Sequence, residues 1–245
     1  MNNYKITIQY DGSRYKGWQR LGNGENTIQD KIEQVLTRMI GTEIEITGCS
    51  RTDAGVHALG QVANFKCPAE LEPDSLGKYL NHYLPEDISI THVEQVPEIF
   101  HSRYHCKKKT YLYRIWNKEY SHPFARKYSM HVVDILNVEA MKEAGTYFLG
   151  EHDFTSFSNA KSKKKSMVRT IHSIDITEKD GFIDIRICGD GFLYNMVRWM
   201  VGALIDVGIG KKNSSIIPLA MEAKQRGMAG DLADACGLFL EGITY

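Results

Sequence analysis

The stretch Gly48-Cys49-Ser50-Arg51-Thr52-Asp53-Ala54-Gly55-Val56-His57-Ala58-Leu59-Gly60-Gln61 decides how this chain reads. Ahead of it, Glu43-Ile44-Glu45-Ile46-Thr47 alternates polar and apolar residues. Behind it, Gln61-Val62-Ala63-Asn64-Phe65 alternates likewise, so both flanks are expected to be strands. The glycines and alanines between them let a ligand or a second backbone come close, because glycine lacks a Cβ and tolerates positive φ. One guanidinium, Arg51, and one carboxylate, Asp53, stand in the middle. Spacing leaves two readings open. One is a strand connection with a surface Arg–Asp pair, since Asp and Gly serve ordinary turns. The other is a binding loop, which accounts better for so many small residues around one carboxylate. Spacing alone names no reaction.

Outward from this loop, the first half reads as strand, helix, strand, strand, helix, strand. Tyr4–Tyr10 alternates, and Asp11-Gly12 closes it as a turn. A helix is predicted from Thr27, with Asp30 placed for a capping box, an apolar face of Ile28, Ile32, Val35, Leu36 and Met39, and Gly41 at its end. A second helix starts near Pro73 and carries Leu76, Tyr79, Leu80 and Tyr83 on one face. Ile88–Val93 is the next strand. In the second half, Lys107–Trp116 reads as a strand, and Asn137 caps a helix bearing Val138, Met141, Ala144 and Phe148. Val168–Ile176 and Phe182–Cys188 form a hairpin about Lys179-Asp180-Gly181. A helix runs from about Gly191 to Val207, another follows Asn213-Ser214, and Gly237–Thr244 closes as a strand. The second half echoes the first as β-α-β-β-α with an added helix and strand. The expected fold class is α+β, with domains at 1–104, carrying the Asp53 loop, and 105–245.

Composition is that of an ordinary globular protein, 42% hydrophobic and 24% charged, with no apolar run long enough to span a membrane. The first residues enter a strand directly and lack the apolar core of a secretory signal. The 5 cysteines are odd in number, dispersed and free of any C-x-x-C, which fits reduced thiols in a cytoplasm. Formal net charge is zero, yet the charge is segregated along the chain. Arg103, Lys107, Lys108, Lys109, Arg114, Lys118, Arg126 and Lys127 face only Glu119 in their stretch, and Lys161, Lys163, Lys164, Lys165 and Arg169 follow without an acid. Local positive fields of this kind hold polyanions on a neutral molecule. Residues 158–167 read either as a solvated loop or as an arm that orders on RNA.

Arg198 lies in a helix that is apolar nearly all round, from Phe192 to Ile205. A buried guanidinium stays charged and needs a partner, so it points to a carboxylate or phosphate unless it reaches the surface. Tyr111 and Tyr113 share one face of a strand, either as sheet aromatics or as a stacking surface for a base. His101, His105 and Cys106 have metal-ligand side chains but no second cluster at a convincing spacing. No G-x-G-x-x-G or G-K-[ST] motif follows a strand, so no nucleotide cofactor is expected.

The central stretch, Arg51-Thr52-Asp53-Ala54-Gly55-Val56-His57-Ala58 with Gly60-Gln61-Val62, resembles the signature of the tRNA pseudouridine synthase A family. So do Tyr10-Asp11-Gly12-Ser13-Arg14-Tyr15-Lys16-Gly17-Trp18-Gln19, Phe100–Tyr104, Lys109–Tyr113, His152–Phe157, Val168–Ile171, Gly191–Arg198 and Gly237–Leu240, all in family order. The resemblance implies two related ferredoxin- or RRM-like halves, with antiparallel sheets flanking a central active-site cleft. It implies uridine isomerisation in the anticodon stem-loop of tRNA at positions 38–40, without metal or nucleotide cofactor, by a cytoplasmic homodimer. It makes Asp53 the catalytic carboxylate and assigns substrate binding to Tyr111, Arg198 and Arg51. Tyr111 would stack on the uracil, Arg198 would orient Asp53, and Arg51 would hold the extruded nucleotide. Ser50 departs from the pattern, standing where a glycine is expected before the arginine.

Overall fold

The computed structural model describes residues 1–22, 24–159 and 166–245. They form two compact units, Met1–Lys107 with Phe239–Tyr245, and Lys108–Leu238. No helix among the described residues is long and apolar enough to cross a membrane.

The first unit is built from β1 (Asn2–Tyr10), α1 (Ile28–Ile40), β2 (Thr47–Gly48), β3 (His57–Cys67), α2 (Pro73–Tyr83) and β4 (Ile88–Val96). The central strand β1 runs antiparallel to both β3 and β4, so that Ile6 lies opposite Ala63 on one side and Val93 on the other. The closing strand of the chain, Leu238–Thr244, pairs parallel with β3, setting Phe239 beside His57. Helix α1 starts where Thr27 caps it, the hydroxyl accepting the Asp30 N–H, and stops at Gly41, which takes the left-handed φ of 81° that glycine permits. Its Ile28, Ile32 and Leu36 are fully buried, as are Tyr4, Ile6, Ile8, Phe65, Leu76 and Leu80.

Two boundaries around the Asp53 loop differ from the sequence reading. Of the expected strand Glu43–Thr47 only Thr47 pairs with β3, together with Gly48 just beyond it. The alternation still describes burial, since Ile44 and Ile46 are buried and Glu43 and Glu45 exposed. The backbone bonds go instead to side chains of α1. The Ile44 N–H donates to Thr37 Oγ1 (3.1 Å) and the Ile46 N–H to Glu33 Oε1 (2.9 Å). On the far side β3 begins at His57, not Gln61, so the loop is shorter than the glycines suggest.

The second unit contains β5 (Lys108–Trp116), β6 (Met130–His131), α3 (Val138–Thr146), β7 (Gly150–Asp153), β8 (Val168–Lys179), β9 (Phe182–Gly189), α4 (Met196–Gly208) and α5 (Ile216–Ala223). The final strand is β10 (Leu238–Thr244). The sheet order is β5-β9-β8-β7, with β6 on β5. The β8–β9 hairpin turns at Asp180 and Gly181, both with positive φ (52° and 85°), the backbone that suits strand twist. Helix α4 begins at Met196 rather than near Gly191, because Asn195 takes a left-handed conformation (φ 61°) and breaks the run. Phe148 lies beyond the end of α3 but is fully buried, edge-on to Phe157 at 5.1 Å. Strand β7, with the sequence Gly-Glu-His-Asp, carries no alternating signal that would mark it as a strand.

Candidate active site

Asp53 sits half-buried in the turn between β2 and β3. Its carbonyl accepts the Val56 N–H (3.1 Å), and Gly55 completes the turn with φ of 78°. The neighbouring Thr52 is held from two directions. Its hydroxyl pairs with Tyr10 Oη at 2.7 Å, and its carbonyl accepts the Trp18 N–H at 3.0 Å. Both partners belong to the opening segment Tyr10–Trp18, which lies directly against the loop. A Cβ on Gly12 would overlap the Val56 carbonyl. A Cβ on Gly17 would lie 2.6 Å from the Thr52 oxygen and 3.1 Å from the Asp53 carbonyl carbon. Two separate glycines thus let one backbone pack on another, and the carboxylate is carried by main chain rather than by a mobile tip.

The opening segment is itself anchored. Asp87 accepts the Tyr15 hydroxyl (2.6 Å) and pairs with Arg14, while its carbonyl accepts the Asp11 N–H. Burial and Asp87 together push the Tyr15 phenol up to about 12. On the other side of the loop the fully buried Gln61 stands in for a missing strand neighbour. Its Nε2 donates to the Ser50 carbonyl (2.7 Å), and its Oε1 accepts the Ser50 N–H (3.3 Å). Ser50 is buried and is not among the positive-φ residues, so its side chain is accommodated without strain. Arg51 is exposed.

In the second unit, Tyr111 lies on β5 opposite Ile187 of β9, with only 6% of its surface exposed. Phe192 meets its ring edge-on at 5.0 Å. Tyr113 is a packing residue. It is fully buried, its hydroxyl donates to the Asp234 carbonyl (2.8 Å), and burial pushes its phenol well up. Arg198 is half-buried on α4. Its Nε donates to the Ala233 carbonyl (2.6 Å) and a terminal nitrogen to Asn195 Oδ1 (3.2 Å). These partners are neutral. The segment they hold packs tightly on α4, since a Cβ on Gly202 would overlap the Asp231 carbonyl.

The cationic segments are unequal. Arg114 is engaged in a two-pronged pair with Asp184 (2.7 and 2.8 Å), which makes it part of the β5–β9 ladder. Lys107, Lys118 and Arg126 are exposed. Lys161 and Lys163 to Lys165, expected to contact RNA or solvent, lie outside the described residues. His101 Nδ1 accepts the N–H groups of Arg103 (3.2 Å) and Tyr104 (3.4 Å), and burial with the nearby Arg103 charge lowers its pKa. Sequence reasoning missed the part played by Gly12, Gly17 and Gln61. The glycines in the opening motif were the available signal.

A carboxylate fixed on packed backbone in an α+β chain with exposed cationic segments fits chemistry on a polyanion. Comparison with known proteins places the chain in the pseudouridine synthase class of isomerases. Residues 6–105 and 144–245 match the family model described as tRNA pseudouridine synthase, and the chain belongs to that family. It is 62% identical to "tRNA pseudouridine synthase A 2" of Bacillus cereus (strain ZK / E33L) and 63% identical to "tRNA pseudouridine synthase A" of Bacillus sp. (strain KSM-64). It is 43% identical to the protein of the latter name in Acetivibrio thermocellus, and all three alignments cover 100% of both chains. Among solved structures, a chain of a Cbf5-Nop10-Gar1 complex matches 82% of this chain and 54% of its own at 13% identity. Its TM-score is 0.33. Arg51, Asp53 and Arg198 fall within the matched residues, and Tyr111 falls between them.

Proposed function

We propose that this protein isomerises uridine to pseudouridine in the anticodon stem-loop of tRNA, at positions 38–40, with Asp53 as the catalytic carboxylate. The observation that carries the reading is the Asp53 turn, which lies inside the matched family segment and is clamped by Tyr10, Gly12, Gly17 and Trp18. The reaction breaks the N1–C1′ bond, turns the uracil and joins C5 to C1′. The C5 proton leaves and N1 gains one, so the product is an isomer. A base inside an RNA helix must be extruded for this, and a carboxylate beside a glycosidic carbon has precedent in glycoside hydrolysis. Asp53 either adds to the sugar or the base, or abstracts a sugar proton. Tyr111, Arg198 and Arg51 bind the substrate: Tyr111 stacks on the uracil, Arg198 orients the carboxylate, and Arg51 holds the extruded nucleotide. Phe192 meets the Tyr111 ring at 5.0 Å with the two planes at 80°. The two halves are taken as related ferredoxin-like folds, and the enzyme as a cytoplasmic homodimer that needs no metal or nucleotide.

The test is tritium release from tRNA labelled at uridine C5. Wild type is expected to release label in excess chelator, while Asp53→Asn releases none and binds the tRNA nearly as well. Turnover by Asp53→Asn would remove Asp53 from the chemistry. Light scattering is expected to give twice the 27.8 kDa chain mass, and a monomer would overturn the homodimer.

A further inference from the structure

We propose that His57 is a positioning residue for the Asp53 turn, acting through the backbone of Gly12; this rests on the reading of Asp53 as the catalytic carboxylate. His57 opens β3 at the exit of the turn and is 1% exposed. Its ring lies stacked on Phe239 of β10, with centroids 4.8 Å apart and planes at 26°. A buried side chain serving only to fill that space would need no particular nitrogen. Here one nitrogen is used specifically. Nδ1 accepts the N–H of Gly12 at 3.1 Å.

Gly12 is the glycine whose Cα presses on Val56, so closely that a Cβ would overlap the Val56 carbonyl. Val56 in turn donates its N–H to the Asp53 carbonyl. A continuous set of contacts therefore runs from the imidazole to Gly12, to Val56, to the residue bearing the carboxylate. In this contact Nδ1 is the acceptor, a role that a proton on that nitrogen would remove. Asp11 Oδ1 also lies 3.2 Å from Nδ1, but it accepts the Ser13 N–H (2.9 Å) and the Ser13 hydroxyl (2.6 Å). Those bonds tighten the turn that presents the Gly12 N–H. Misplacement of a reacting group by about 1 Å can cost on the order of 100-fold in rate, so a slack Gly12 contact should appear in kcat.

The test is a pair of substitutions that differ in where one oxygen sits. In His57→Asn the amide oxygen is bonded to Cγ, as Nδ1 is, and can accept the Gly12 N–H. In His57→Gln it lies one bond further out, towards the Nε2 position. Thermal melting checks folding, and kcat and KM are measured on tRNA. Expected are a loss of about 100-fold in kcat for His57→Gln with KM within about threefold, and recovery by His57→Asn to within about fivefold of wild type. Equal kcat for the two variants, whether both high or both low, would overturn the positioning role. Should His57→Gln fail to fold, Asp11→Ala loosens the same turn from a partly exposed position. About tenfold lower kcat at unchanged KM is then expected, and wild-type kcat would overturn the inference. Asp53→Asn is run in parallel. If it keeps turnover, the catalytic assignment itself fails. If it is inactive while His57→Gln is fully active, only the positioning inference fails.

Discussion

Gly17 shows how much of the candidate site rests on single atoms that are missing. Its φ of 94° already disfavours any side chain, and a Cβ would sit 2.6 Å from the Thr52 oxygen and 3.2 Å from the Ala54 nitrogen. Gly210 has a similar φ of 74°, with nothing within 4 Å of its would-be Cβ. Alanine at Gly210 should therefore lose only the left-handed backbone penalty, about 1–2 kcal/mol. Alanine at Gly17 should lose that and, in addition, shift the main chain at Thr52 and Asp53. The expected outcome is a larger drop in Tm for Gly17→Ala and a fall in kcat that Gly210→Ala does not share. Equal turnover in both variants would mean that the opening segment does not hold the turn. The opening motif shows that glycines stand at 12 and 17, but not which backbone each one meets.

At the scale of the element, what the sequence showed well was local chemistry. Thr27, Gly41, Asn137 and the Asp180-Gly181 turn sit where side-chain acceptors and positive φ put them. What it showed poorly was which strand or side chain takes each backbone bond. Ile44 and Ile46 alternate and are buried, yet their N–H groups are satisfied by α1, so no strand forms there. Residues of β7 pair with β8 through a register that four non-alternating residues cannot announce. Long-range pairing of this kind overrides propensity. For the site the division is similar. The family pattern singles out Asp53 as an expectation, while the bonds of the buried Gln61 and the neutral partners of Arg198 come only from the folded structure. Helix α2 offers a test of local chemistry with a definite sign. Glu72 caps it, one oxygen accepting the Asp74 N–H (3.0 Å) and the other the Ser75 N–H (2.6 Å). Those two backbone bonds lower the Glu72 pKa below its usual 4.5. A carboxylate depressed in the folded state stabilises above its unfolded pKa, and the contribution disappears as pH falls through the folded value. Stability of wild type should therefore fall relative to Glu72→Gln between about pH 5 and pH 3. Chemical denaturation across that range checks it, and parallel curves would show that the cap carries no linkage.

For the whole molecule, 30 basic and 30 acidic side chains leave no net charge to draw in a polyanion, so affinity for tRNA must come from where the cations stand. Side-chain geometry separates these cations by role. Arg114 is committed to Asp184 and belongs to the sheet. Lys107, Lys118 and Arg126 are exposed and able to meet phosphates. Each phosphate contact releases condensed counterions, so the logarithm of the binding constant falls with the logarithm of salt by about 0.7 to 0.9 per contact. Replacing Lys107, Lys118 and Arg126 by glutamine should flatten that slope by about 0.7 to 0.9 for each residue that touches phosphate. It should raise KM and leave kcat at saturating tRNA unchanged, because none of the three is assigned a part in the chemistry. Arg114→Gln should do the reverse, lowering Tm while leaving the slope alone. Filter binding at a series of salt concentrations, with melting curves on the same variants, separates the two classes. An unchanged slope in the triple variant would show that these cations do not touch the RNA, and a flattened slope in Arg114→Gln would show that its pair with Asp184 opens when tRNA binds.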